Sequence, residues 1–222
     1  MIKRILFGVF CLVGLAVFPA FAAEPAPSGT SGLSAEQKKI LKDIETYFNG
    51  IRTIKSGFTQ TSTTGAFAEG EFLLLKPGKM RLEYKPPMPV EVVSDGYYLI
   101  FHDKNLEQVT YLDIDSNPAS IILKENFSFD KSNLTVTDVR KTPGFIEVSV
   151  YKTEEPATGR ITLIFKDRPL ELKQWQITDA QQVRTLVSLN QAEFNTALKP
   201  EMFKFTDPRR AGRPGDVPVR RH

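Results

Sequence analysis

With 222 residues, two histidines and one cysteine, the chain is long enough for one sizeable core but poor in nucleophiles and metal ligands. Its net charge of +3 is unevenly placed: Lys3 and Arg4 hold two positive charges and the stretch from Pro208 holds a net four, which leaves the body between them at −3. The basic excess therefore comes from the two ends and says nothing about a nucleic-acid-binding face, and no strand interleaves basic with exposed aromatic residues as RNA readers do.

The first residues read as an export leader. Lys3 and Arg4 precede the apolar run Ile5 to Phe18, and Ala20-Phe21-Ala22 supplies small residues at a cleavage site. Residues 1–23 are expected to be a signal peptide, which places the chain in an oxidising compartment such as the periplasm. Cys11 lies inside the apolar run and leaves with it, so disulfide and thiol chemistry leave too. Residues 24–33, rich in Pro, Ser and Gly, are expected to be a disordered linker.

Ser34 is a candidate N-cap with Gln37 as its capping-box partner. Ile40, Leu41, Ile44, Tyr47, Phe48 and Ile51 follow at helical spacing and predict one amphipathic helix ending near Gly50. Beyond it the periodicity changes to two. Expected strands are Gly57 to Ser62, Phe72 to Leu75, Lys79 to Tyr84, Val90 to Val93, Tyr97 to Phe101 and Glu107 to Leu112. Further strands are Leu134 to Val139, Phe145 to Tyr151, Arg160 to Phe165, Leu170 to Thr178 and Val183 to Leu189. The short turns between them, Lys76-Pro77-Gly78 and Ser94-Asp95-Gly96 among them, predict a meandering antiparallel sheet. The run Asn117 to Leu123, with a proline near its start, predicts a short helix. The fold class is thus mainly β (α+β): an open, curved antiparallel sheet whose apolar concave face is covered by the N-terminal amphipathic helix and a short second helix. The domain spans 34–207, and 208–222 is expected to be a basic disordered tail.

The sequence yields no catalytic centre. His102 falls in a turn and His222 at the end, neither in a triad or metal spacing, so no enzyme, metal or cofactor is expected. Asp113-Ile114-Asp115-Ser116-Asn117 begins like a calcium loop, but Pro118 and Lys124 replace the required glycine and glutamate. Asn126-Phe127-Ser128 and Asn133-Leu134-Thr135 match a glycosylation acceptor pattern that is common by chance. What remains is the apolar side of the strands. In Lys79 to Tyr84, Met80, Leu82 and Tyr84 share one face while Lys79, Arg81 and Glu83 share the other. Such a face forms either a packed core or the wall of a ligand cavity.

An ordered set of pieces resembles the LolA family of outer-membrane lipoprotein carriers. They are Phe58-Thr59-Gln60, Gly70-Glu71-Phe72, Lys76-Pro77-Gly78-Lys79-Met80-Arg81-Leu82-Glu83-Tyr84, Pro89, Val93-Ser94-Asp95-Gly96 and Glu107-Gln108-Val109-Thr110. The resemblance implies an open, incomplete β-barrel with helices as a lid over an apolar cavity. It implies lipoprotein acyl chains as ligand, an inner-membrane ABC exporter of the LolCDE type as donor, and a LolB-like receptor or the outer membrane itself as acceptor. No nucleic acid is expected as partner, and a monomer is expected. On this reading Phe58, Phe72, Leu74, Met80, Leu82 and Tyr84 line the cavity, and Ile121, Ile122 and Leu123 belong to the lid. The family typically has a lid-bonding arginine before the turn proline; here that position is Lys76, which keeps the charge without the planar fork of donors, so a weaker latch is expected. The competing readings are a carrier or sensor of another envelope lipid on the same fold, and a ligand-free envelope module whose sheet edge pairs with a partner strand.

Overall fold

The structure, a computed structural model, describes residues 32–114 and 118–210. The expected signal peptide, the linker up to residue 31 and the tail from residue 211 lie outside the described residues. One α-helix, α1 (Ala35–Gly50), is followed by eleven strands: β1 (Thr53–Ser62), β2 (Phe67–Leu75), β3 (Lys79–Tyr84), β4 (Val90–Asp95), β5 (Tyr98–Asp103), β6 (Gln108–Asp113), β7 (Leu134–Thr142), β8 (Phe145–Lys152), β9 (Gly159–Lys166), β10 (Glu171–Asp179) and β11 (Arg184–Phe194). A 3-10 helix, Pro118–Leu123, stands between β6 and β7, where a short helix was expected.

The strands make a single antiparallel sheet in the order β6-β5-β4-β3-β2-β1-β11-β10-β9-β8-β7. Because β1 pairs with both β2 and β11, the two meanders join along one strand. The sheet stays open between β6 and β7, the two ends of the order, and the segment linking them carries the 3-10 helix.

Both ends of α1 are held by groups that match its unpaired backbone atoms. At the N-terminus, Gln37 N–H donates to Ser34 Oγ (3.2 Å), Ser34 N–H donates to Gln37 Oε1 (2.9 Å), and Gln37 Nε2 also donates to the carbonyl of Val139 on β7 (3.1 Å). At the C-terminus, Asn195 Nδ2 donates to the carbonyl of Gly50 (3.1 Å) and Asn195 Oδ1 accepts from Arg52 N–H (2.7 Å). The helix therefore lies across the concave face with Ile40, Leu41, Ile44 and Phe48 turned into it.

Strand β2 begins at Phe67, five residues before the expected Phe72, and takes in Ala68-Glu69-Gly70, residues of low β propensity. Packing overrides propensity there. A Cβ on Gly70 would collide with the carbonyl oxygen of Glu83 and sit 2.7 Å from Phe58 Cε1. The missing side chain lets the Phe58 ring lie across β2, where it meets Tyr84 edge-on at 5.1 Å. At the other end of the domain, Pro208–Arg210 forms a 3-10 turn, so the ordered chain continues past the expected boundary at 207.

Candidate functional site

The concave face is one continuous apolar cluster under α1 and the 118–123 helix. All six residues expected to line a cavity belong to it. Phe58, Phe72, Leu74 and Met80 are buried, and Leu82 and Tyr84 are half-buried and packed against it. Register puts them on one surface: Phe72 pairs with Leu82, Leu74 with Met80, and Gly70 with Tyr84. Tyr84 closes the row at one end, its hydroxyl donating to Gln60 Oε1 at 2.8 Å, and burial pushes its phenol up to about 12.

Sequence reading missed the other half of the face. Trp175 packs against Phe72, ring centroids 5.4 Å apart and tilted at 57°. Val148, Val150, Ile161, Leu163 and Phe165 on β8 and β9 are fully buried. The Phe165 ring is wedged against Tyr47 and Phe48 of α1, at 6.0 and 5.6 Å. The signal was present as alternation in both strands, but the resemblance drew attention to β1–β3.

The covering segment is longer than the expected three residues. Ile122 and Leu123 are buried; Ile121 lies in the same 3-10 helix, with its side chain outside the described residues. Past it, Phe127 and Phe129 are also buried, 4.7 Å apart and edge-on, and Phe127 meets Phe48 at 5.9 Å. Polar groups bolt this loop to α1. Asn49 accepts from Phe127 N–H (2.7 Å) and donates to the Phe127 carbonyl (2.9 Å). The buried carboxylate of Glu45 accepts from Phe129 N–H at 2.8 Å and pairs with Lys42 at 3.2 Å. A buried carboxylate without such partners would be strongly destabilising.

Lys76 binds the end of α1, one of the two covering helices. Its Nζ donates to the carbonyl of Phe48 at 2.7 Å and stands 5.5 Å from the Phe48 ring centroid. The last turn of α1 has no basic residue of its own, so this ammonium is the cation that meets the negative end of the helix. Burial lowers its pKa to about 8, with the negative charge of Glu125 opposing. The tie between the hairpin and the 3-10 helix is made by backbone: Gly78 N–H donates to the Leu123 carbonyl at 3.0 Å. One turn, Lys76-Pro77-Gly78, thus grips both covering elements.

A groove of about 330 Å³ on the opposite, convex face is lined by Lys55, Glu69, Glu71, Lys85 and Glu193 around Gly57. Its charges suit water and not acyl chains.

Comparison with known proteins gives a consistent family. The model of the family described as "Outer membrane lipoprotein carrier protein LolA" matches residues 49–206. An outer-membrane lipoprotein carrier protein of Nitrosomonas europaea is 29% identical over 177 residues, covering 76% of this chain and 85% of that protein. One from Cupriavidus pinatubonensis is 29% identical over 94% of this chain and 97% of its own length. Among solved structures, a DUF1329-family protein of Desulfovibrio piger superposes with a TM-score of 0.50 at 7% identity, covering 76% of this chain and 96% of the other, a likeness of fold.

Proposed function

The chain belongs to the LolA family, and from that premise we propose that it is a periplasmic carrier that hides the acyl chains of lipoproteins in its concave apolar face. The donor is an inner-membrane ABC exporter of the LolCDE type, and the acceptor is a LolB-like receptor or the outer membrane itself. The protein acts as a monomer and does no chemistry on its cargo. The observation that carries this reading is the union of a family match over most of the chain with an apolar face capped by α1 and the 118–130 segment.

The physical need is large. Each buried CH₂ contributes about 0.8 kcal/mol, so one acyl chain of about fifteen methylenes leaves water at a gain on the order of 12 kcal/mol. A carrier must supply that burial and still let go. Broad apolar contact with a movable cover meets both needs better than directional bonds.

In the structure α1 and the 118–130 segment lie on the face and bury Phe72, Leu74 and Met80. Accepting an acyl chain then requires the 118–130 segment, α1 or both to move off β2–β4. The Lys76–Phe48 and Gly78–Leu123 bonds are the ties that break. A bond from one lysine Nζ is shed more readily than a two-pronged guanidinium grip, so cargo entry here faces a weaker latch.

Depleting the protein in its own cell tests the role. Outer-membrane lipoproteins should accumulate at the inner membrane, and purified protein from the periplasm should carry lipoprotein. Unaltered lipoprotein sorting on depletion, or a purified protein loaded with free envelope lipid and no lipoprotein, would overturn the assignment.

A further inference from the structure

Along its strands the apolar face runs from dry to wet. Where β2 and β3 meet the Lys76-Pro77-Gly78 turn, Leu74 and Met80 are buried. At the other end of β3 the face closes on Tyr84, and Val90 on β4 and Ile177 on β10 stand half-buried at that same end. Two polar side chains join the face there. Gln60 follows Phe58 by two positions on β1 and so points to the same side, paired with Ala68 on β2 and Val187 on β11. Tyr84 stands on the far side of β2, paired with Gly70.

Ala68 and Gly70 are too small to fill the space between β1 and β3. The tyrosine therefore reaches across β2, its ring edge-on to Phe58 and its hydroxyl donating to Gln60 Oε1 at 2.8 Å. Burial keeps that phenol protonated, so it remains a donor. The bond fixes which way the amide faces. With Oε1 held by the tyrosine, the two Nε2 hydrogens are left over, and among the described residues they meet no acceptor. Because Gln60 is half-buried, this spare donor stands at the margin of the apolar face and not in open water.

An acyl chain on glycerol has the complementary make-up: a long apolar part and, at one end, an ester carbonyl that accepts and cannot donate. Drawing that carbonyl out of water without a donor to meet it is costly. We propose that Gln60 is the ester contact of the carrier face, its Nε2 donating to an acyl ester carbonyl of the cargo while the chain runs over Leu82, Phe72 and Met80 toward the Lys76 turn. Tyr84 is the positioning residue that holds the amide in this sense. The inference rests on the carrier reading and adds two things to it. It gives the cargo a direction, ester end at Tyr84 and methyl ends at the Lys76 turn, and it makes the face selective for ester-linked over ether-linked chains.

The test is equilibrium binding of two synthetic probes to the purified protein: a peptide bearing dipalmitoylglyceryl-cysteine, and the same peptide with ether-linked hexadecyl chains. The native protein should bind the ester probe about tenfold more tightly, the worth of one hydrogen bond to a carbonyl. Gln60→Met keeps the length of the side chain and should lose that tenfold on the ester probe. Tyr84→Phe keeps the ring against Phe58 but frees the amide, so its ester-to-ether ratio should fall. The ratio is the readout because a merely structural role of either side chain would weaken both probes alike. Equal binding of the two probes by the native protein, or a native ratio in either variant, overturns the proposal and leaves the carrier reading standing. Dipalmitoyl phosphatidylcholine presents the same esters on another headgroup. Equal displacement of the ester probe by it would uphold Gln60 as the ester contact and move the carrier reading to an envelope lipid. Binding of neither peptide would overturn both.

Discussion

The two halves of the concave face differ in how finished they are. On β8 and β9, Val148, Val150, Ile161, Leu163 and Phe165 are fully excluded from water and locked against the rings of α1. On β3 to β6 the same face loosens: Met80 is buried, Leu82 and Tyr84 are half-buried, and Phe101 and Leu112 are 38% and 40% exposed at the open edge. The first half is a protein core in the ordinary sense. The second has apolar surface that α1 and the 118–130 segment cover without enclosing. A ligand cavity needs both: one wall that never moves, and one that can be uncovered at low cost.

Substitutions should separate the halves. Phe165→Ala removes the ring that holds α1 and should cost about 3–5 kcal/mol of stability, read by denaturant unfolding. A loss as small as that of an edge residue would show that the halves are alike. Gly70→Ala forces β2 from β3 and displaces Phe58, and should cost about 1–3 kcal/mol. Asn49→Ala strips two bonds from the cover at once and should cost about 1–3 kcal/mol, with faster amide exchange at Phe127 and Phe129 than elsewhere. Uniform acceleration across the sheet would mean that the cover is not a separable unit. Leu82→Ala should cost only about 1 kcal/mol, because the side chain is half-exposed already, yet should reduce lipoprotein carried per molecule.

The smallest effect is a slope with pH. Lys76 titrates near 8 when folded, below its ordinary 10.5, because its ammonium is partly buried. Below about pH 8 the folded state carries the whole cost of that burial. Between about 8 and 10.5 the unfolded chain binds a proton that the folded chain does not, so this group's contribution to stability improves as pH rises. The melting temperature of the native protein should therefore rise relative to that of Lys76→Met across this window. Parallel profiles would show that the side chain is not buried against Phe48.

Much of this architecture was legible in the sequence, and the omissions have reasons. The capping box at Ser34 and the alternation in Lys79 to Tyr84 report local geometry directly, and helix and strand followed from them. The start of β2 was hidden because Gly70 is there for the room it leaves Phe58, a contact twelve residues away in the chain. The Phe127–Phe129 anchor was hidden because its partners, Asn49 and Glu45, sit on the solvent-coloured positions of the helix pattern. Lys76 was expected to latch the lid because of its place in the turn, but its acceptor is a helix-end carbonyl, which periodicity cannot reveal. The turn at Pro208–Arg210 was unread because Arg209 looks like the start of a basic tail until Asp207, Tyr111 and Val109 are seen around it.

The central claim is that acyl chains enter the β2–β4 half and leave the β8–β9 half untouched. A photoreactive amino acid at Leu82, and an azide-bearing phenylalanine at Phe165, tests it most directly in the periplasm. The account predicts capture of lipoprotein at Leu82 and only internal crosslinks to α1 at Phe165. Capture at Phe165 equal to that at Leu82, or none at Leu82, would contradict it.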